Sequence, residues 1–316
     1  MTDWRPGASR HALETRAELL AAIRDFFAER GVMEVETPLL SRFANVDPHI
    51  ESIATDDPAP RYLRTSPEFP MKRLLCAGLQ DIYELGRVAR AGESGARHNP
   101  EFTLLEWYRL GLSYLELADE VVALIRHCGP QRFSGWPVER VSYRALFERH
   151  TGLDPWTCGE EELADCAAER GIASGPLDHD AWQHLLMAEV IQPSLAGERI
   201  TVVHDYPPEQ AALARIRAGD HDVAERFEIY LGEQELANGY QELTDPDEQL
   251  RRFDRDNRLR GTRGADRLPI DTSLLAAMRD GMPECSGVAL GVDRLLMSLL
   301  GIERIDAVLA FSWARG

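Results

Sequence analysis

The sequence predicts an α+β fold in which an antiparallel sheet is flanked by helices. Three observations carry that expectation. DIYELGRVAR (81–90) and FTLLEWYRL (102–110) both read as strands, and the AGESGARHNPE between them is rich in Gly, Asn and Pro, so the pair reads as a long antiparallel hairpin. After further helices, RITVVHD, RFEIYLG and ELANGYQEL return to strands, and antiparallel strands interrupted by helices indicate α+β rather than a parallel βαβ array. The chain has 316 residues, of which 44% are hydrophobic, so a sizeable core is available.

The elements follow in order. Residues 9–30 form an amphipathic helix in which Leu19, Ile23, Phe26 and Phe27 share a face, and Gly31 is its natural stop. VMEVET then alternates like a strand and ends at Pro38, and RYLRT (61–65) is a second strand candidate. Ser66-Pro67-Glu68 opens a helix that runs to about Gly78, with a Ser cap, a Pro in the first turn and an acid near the positive helix end. After the hairpin, residues 115–128 are helical. Residues 130–200 read as an insertion of helices, among them SYRALFERH and AWQHLLMAEVI. DEQLRRFDRDNRLRG is a charged helix, and SGVALGVDRLLMSLLG closes the chain as a strand, a Gly turn and an apolar helix. The absence of a repeat, a low-complexity tract or a linker predicts one domain over 1–316.

The formal net charge is −18. A broad electrostatic grip on nucleic acid needs the opposite sign, so the charge argues modestly against an RNA-binding surface. The five cysteines (76, 128, 158, 166 and 285) are odd in number and lack CxxC spacing, which fits neither a disulfide framework nor a zinc site. The amino-terminal MTDWRPGASR has no apolar signal region and no apolar run reaches membrane length, so the chain reads as cytoplasmic. Lys72 is the only lysine. A biased overall composition explains that directly; scarcity of exposed amines would also suit an enzyme that makes an amine-seeking electrophile.

The hairpin's second strand poses a question. Phe102, Leu104, Glu106 and Tyr108 lie on one side of it. A carboxylate among them is either solvated at an edge or turned into a site that needs negative charge. Three segments frame the answer: helix, strand and proline from Arg24 to Pro38; the hairpin with Arg90 and RHNPEFT; and the closing Gly287-Val-Ala-Leu-Gly291-Val-Asp-Arg294. In this order they resemble the three signature motifs of class II aminoacyl-tRNA synthetases. RTSPE, RHNPEFT, ELANGYQEL and GVDRLLM resemble the lysine-specific subgroup most closely, from about residue 15 to the end.

The resemblance implies a class II catalytic domain that activates a carboxylic acid with ATP. Anion attacks anion there, so positive charge must stabilise the pentavalent transition state and the departing pyrophosphate. On the matching positions, Arg90 serves the α-phosphate, and His98 and Arg294 serve the γ-phosphate end. Phe102 matches the ring that stacks on adenine. Asn99, Ala91, Gly92 and Leu236 fall in the nucleotide-contacting segments, and Gly291 lets the backbone approach the nucleotide. Glu235 and Glu242 match carboxylates that hold Mg²⁺. Glu106 and Tyr108 resemble the pair lining the amino-acid pocket, where a substrate ammonium makes a buried carboxylate tolerable. Glu68, with Ser66 and Pro67 beside it, matches a contact to the amino group near the substrate's carboxylate. Glu242 and Ala289 also border that pocket. Two acids for two ammonium groups imply a diamino acid.

The sequence departs from the family in three places. Gly92 stands where a carboxylate is usual, with Glu93 next to it. Ala289 replaces a common glycine, adding a methyl to a pocket floor. The first motif begins about twenty residues in, which leaves no room ahead of it for the OB-fold anticodon domain of lysyl synthetases. A lysine-type core without an anticodon domain resembles the synthetase paralogues that adenylate (R)-β-lysine and join it to a lysine of elongation factor P. That resemblance implies a homodimer with the first motif at its interface. The rival readings are a shortened lysine- and tRNA-using enzyme, an ammonia-using amide ligase and an inactive regulatory paralogue.

Overall fold

A computed structural model describes residues 4–316; residues 1–3 of the amino-terminal stretch lie outside it. The first helix, α1 (Arg10–Glu29), starts where the Ser9 side chain accepts a hydrogen bond from the Ala12 amide. It stops at Gly31, whose φ of +66° suits glycine. Strand β1 (Met33–Glu34) is only two residues long, and the Val35 amide adds one bond to the Tyr83 carbonyl before the chain leaves the sheet. The RYLRT candidate is as short: β2 (Leu40–Ser41) pairs with β3 (Tyr62–Leu63) in a separate ribbon. Helix α2 (Glu68–Cys76) begins with the Ser66 hydroxyl accepting from the Glu68 amide at 2.9 Å.

The hairpin forms as expected from β4 (Ile82–Ala89) and β5 (Glu101–Leu110), in antiparallel register with Glu84 opposite Glu106. Helix α3 (Tyr114–Cys128) carries a full capping box, Ser113 with Glu116. The segment expected to be an all-helical insertion is not all helical. After the single turn α4 (Pro130–Phe133), β6 (Val138–Ser142) runs parallel to β7 (Ile200–Tyr206) and widens the sheet. Helices α5 (Tyr143–Thr151), α6 (Glu160–Glu169), α7 (His179–Leu186) and the turn α8 (Gln192–Ser194) lie between those strands. They enclose their own core around Tyr143, Phe147, Leu186 and Tyr206.

The short β8 (Ile216–Arg217) precedes β9 (Val223–Leu231) and β10 (Gln234–Gln241). Helices α9 (Pro246–Thr262) and α10 (Thr272–Gly281) lead to β11 (Cys285–Gly291) and α11 (Val292–Leu300). The main sheet runs β1-β4-β5-β11-β10-β9-β7-β6, with β8 beside β9. Only the two outermost pairs, β1 with β4 and β6 with β7, are parallel. One face packs on α1, α3 and α11, where the Phe27 ring stacks on Tyr83 at 4.4 Å and meets Trp107 edge-on at 5.4 Å. The opposite face of β5, β10 and β11 is left to line a cleft.

The sheet's centre is packed too closely to accept extra volume. A Cβ at Gly239 would lie 2.5 Å from the Phe227 ring and 2.8 Å from Val288 Cβ. Gly239→Ala is therefore expected to destabilise the fold by about 1–3 kcal/mol through overpacking. A lower denaturant midpoint at unchanged slope would show it, and an unchanged midpoint would mean that the sheet yields there.

Candidate active site

The cleft brings together most of the residues singled out from the sequence. Of the seventeen, only Pro67, Ala91 and Gly92 are not among its lining residues. Its two ends differ in charge.

One end holds the cations Arg90 and Arg294, each with an acid beside it. Arg90 follows the last residue of β4; its guanidinium donates to the Thr65 carbonyl and lies 5.1 Å from the centre of the Phe102 ring. Gly92 turns the chain with φ +79°, and it is Glu93 that lines the cleft, 3.5 Å from Arg90. Arg294, in the first turn of α11, donates to the Glu235 carbonyl at 2.9 Å and to His98 Nε2 at 2.7 Å. His98 thus accepts through Nε2. Burial, and then the Arg294 charge, hold its pKa below the ordinary histidine range, so it is neutral at pH 7. Glu235 Oε2 is 3.6 Å from Arg294. A Cβ at Gly291 would meet the Arg294 side chain only at ordinary contact, 3.6 Å. Asn99 is already engaged: its Nδ2 donates to the Glu101 carbonyl and its Oδ1 accepts from the Trp313 amide, which ties the hairpin loop to the carboxyl-terminal segment.

The other end is anionic. Alternation along β5 turns Phe102, Leu104, Glu106 and Tyr108 into the cleft. Glu106 is 3% exposed, with Oε1 accepting from the Tyr108 hydroxyl and Oε2 from the Ser66 hydroxyl, both at 2.8 Å. Both of those partners are neutral. Burial, and then repulsion from Glu68, push the Glu106 carboxyl up to about 8, although its two hydrogen bonds pull the other way. Ala289 of β11 sits directly opposite Glu106 in the ladder and lines the same cleft. Gly287, two residues earlier, has no room for a side chain, because a Cβ there would collide with Glu242 and the Tyr108 ring.

Two residues missed from the sequence organise the site. Lys72, attributed to composition, is 1% exposed. Its ammonium makes an aligned hydrogen bond to Glu68 Oε1 and an ion contact to Glu242 Oε2, each at 2.6 Å. Burial alone would lower its pKa, but the two carboxylates reverse that and hold it charged. Burial raises Glu242 to about 7, with Lys72 opposing. The available signal was the i, i+4 pair Glu68 and Lys72 on one helix. The second residue is Asp293, 2% exposed, which accepts from the Thr103 amide at 2.8 Å and pairs with Arg16 of α1. It fixes α11, and with it Arg294, against the hairpin.

A sheet of this topology, with an arginine after the first hairpin strand and another opening the closing helix, places the molecule among the class II synthetase catalytic folds. The family model of class II tRNA synthetases (D, K and N) matches residues 1–315, and the chain belongs to that family. It is 44% identical to an elongation factor P–(R)-β-lysine ligase of Haemophilus ducreyi, over 99% of this chain and 97% of the relative. It is 46% identical to the protein of that name from Mannheimia succiniciproducens (98% and 97% covered) and 45% identical to the one from Photorhabdus laumondii (98% and 97% covered).

The raised Glu106 carboxyl gives the anionic end a pH signature. A small primary-amine ligand such as lysine keeps its side-chain charge below about pH 10 and prefers ionised Glu106. Its affinity should therefore rise with pH between 6 and about 8, approaching tenfold per pH unit at the acid end, then level off. Calorimetric titration of wild type and Glu106→Gln checks this: the variant should bind weakly with a shallower slope, what remains belonging to Glu242, and an equal slope in both would take the titration away from Glu106.

Proposed function

We propose that the chain activates (R)-β-lysine with ATP and transfers it to the ε-amino group of a lysine on elongation factor P. The observation that carries the reading is Glu106, a buried carboxylate whose partners in the protein are both neutral, in the same cleft as Arg90 and Arg294. A substrate ammonium supplies the missing counter-charge. The substrate's carboxylate then lies toward the arginines, and its oxygen attacks the α-phosphorus of ATP. The bond to the β-phosphate breaks and pyrophosphate leaves. Arg90 stabilises the charge that grows on the α-phosphate, and Arg294 with His98 receives the far phosphates. Phe102, beneath Arg90, stacks on the adenine, with Asn99, Leu236 and Gly291 around the nucleotide. In the second step the neutral acceptor amine attacks the acyl carbon, an amide forms, and AMP departs as the amine loses its proton.

Mg²⁺ fits the donor set. Among the described residues no cluster of three or more acid, His or Cys side chains would hold a metal by itself. Of the two cleft carboxylates expected to hold it, Glu235 stands beside Arg294 and suits an ion that shares its remaining positions with phosphates and water, whereas Glu242 is buried and already paired with Lys72. When bound, it would neutralise phosphate charge. The reading includes a homodimer: Met33, Leu39 and Leu40, around the first-motif proline Pro38, are 49%, 46% and 46% exposed. It also places the enzyme in the cytoplasm; no helix among the described residues is long and apolar enough to cross a membrane. The net charge of −18 favours a protein acceptor over tRNA.

ATP–pyrophosphate exchange with a panel of amino acids, followed by transfer to elongation factor P, tRNA or ammonia, tests the reading. Exchange with (R)-β-lysine and labelling of elongation factor P are expected; stable labelling of tRNA instead would overturn the acceptor. Arg90→Ala should lower exchange by about 10²-fold or more. Glu235→Gln should raise the Mg²⁺ concentration required, and an unchanged titration there would free Glu235 of that role.

Ala289 bears on which isomer is used. Its methyl lies beside Glu106, and α- and β-lysine differ by one carbon in the position of one ammonium. In this reading the methyl pushes the α-isomer's amino group out of register with Glu68. Ala289→Gly should then shift the preference toward α-lysine by about tenfold. An identical isomer ratio in both proteins would make the methyl mere packing.

A further inference from the structure

We propose that Lys72 is the positioning residue that makes the cleft selective for a diamino acid, by holding Glu68 and fixing the charge of the anionic end. The inference rests on the amino-acid-activating reading given above. Glu68, Glu106 and Glu242 all line the cleft, and Lys72 is the cation held between the first and the last of them. Once a bound cation leaves all four groups charged, the cluster carries two negative charges in excess. Two substrate ammonium groups match that excess, and one does not.

The geometry gives Lys72 a directional role as well. It reaches Glu68 from one turn further along α2 and takes Oε1, which leaves Oε2 for a ligand. The side-chain exposures are 1% for Lys72, 1% for Glu242 and 16% for Glu68, so the ammonium lies behind the carboxylates and Glu68 is the more open of its two partners. A ligand amine therefore meets Glu68 on the side away from Lys72. Without the lysine, Glu68 and Glu242 would face each other across a void, and repulsion would turn Glu68 away or hold a proton between them. Either change removes the second ammonium's partner and leaves Glu106 for the first. The bland alternative, a lysine that merely ties α2 to β10, predicts equal losses for every substrate.

The test compares kcat/KM in ATP–pyrophosphate exchange for (R)-β-lysine and for 6-aminohexanoate, which keeps the terminal ammonium and lacks the other. In wild type the ratio should strongly favour the diamino acid. In Lys72→Met it should fall by about tenfold to a hundredfold, mainly through KM of the diamino acid. Lys72→Gln, which keeps a donor for Glu68 but no charge, carries the same measurement if the methionine variant does not fold. Propylammonium added to Lys72→Ala should restore the ratio, and 1-propanol, of the same size, should not. An unmoved ratio, equal losses on both substrates, or equal rescue by the alcohol would overturn the role of Lys72. Failure of wild type to activate either amino acid would instead overturn the reading on which it rests.

Discussion

The arrangement depends on one costly placement, a carboxylate at the centre of a sheet. Glu106 sits mid-strand on β5 with β4 and β11 on either side, where water cannot solvate it freely. Burying an ionised carboxylate without a cation costs several kcal/mol, roughly, even after relaxation. Hydrogen bonds from Tyr108 and Ser66 offset part of that cost, and partial protonation offsets more. What remains is a standing affinity for a cation. The neighbouring pair, Glu68 and Glu242, shows the alternative solution, because there the chain supplies its own ammonium.

The scaffold keeps these charges from relaxing. A one-residue slip of β5 would turn Glu106 into the apolar core that holds Trp107 and Leu105. The register is fixed from both sides, by Phe27, Tyr83 and Trp107 beneath the sheet and by the β4 and β11 ladders beside it. Asp293 adds a polar lock by binding the Thr103 amide of β5 and Arg16 of α1 from the start of α11. Arg294 is the next residue, so the lock that steadies the anionic strand also positions the cationic end.

What could be read from the sequence was what is periodic or local. The alternation of β5 gave the cleft face correctly, and the cap signals located α1 and α2, because both depend on residues a few positions apart. Edge elements were misjudged for a physical reason. VMEVET and RYLRT have strand-like residues, but each finds a partner for only two of them. The strand β6 was hidden among helices because five residues at a sheet edge carry little pattern. Helix α10 was overlooked, although Asp271 accepts from the Ser273 and Leu274 amides at its start. In the site, positions matching known motifs did converge on the cleft. Lys72 offered only its local partner, Glu68 one helical turn away, while Glu242, which completes its role, and Arg16, which defines that of Asp293, are far away in sequence.

The separation of charge along the cleft explains how one cavity can serve both a dication and a polyanion. Arg90, His98 and Arg294 gather at one end, and Glu68, Glu106 and Glu242 at the other. An amino acid with two ammonium groups and one carboxylate is itself polar end to end, so only one orientation satisfies both ends, and that orientation delivers the carboxylate to the phosphates. The electrostatic arrangement that selects the substrate therefore also aligns it, and alignment accounts for much of the rate advantage of a bound reaction. Glu235 stands beside Arg294 at the arginine end. In the proposed reaction an acid there tempers the arginine and would leave a place for a hard cation beside the phosphates.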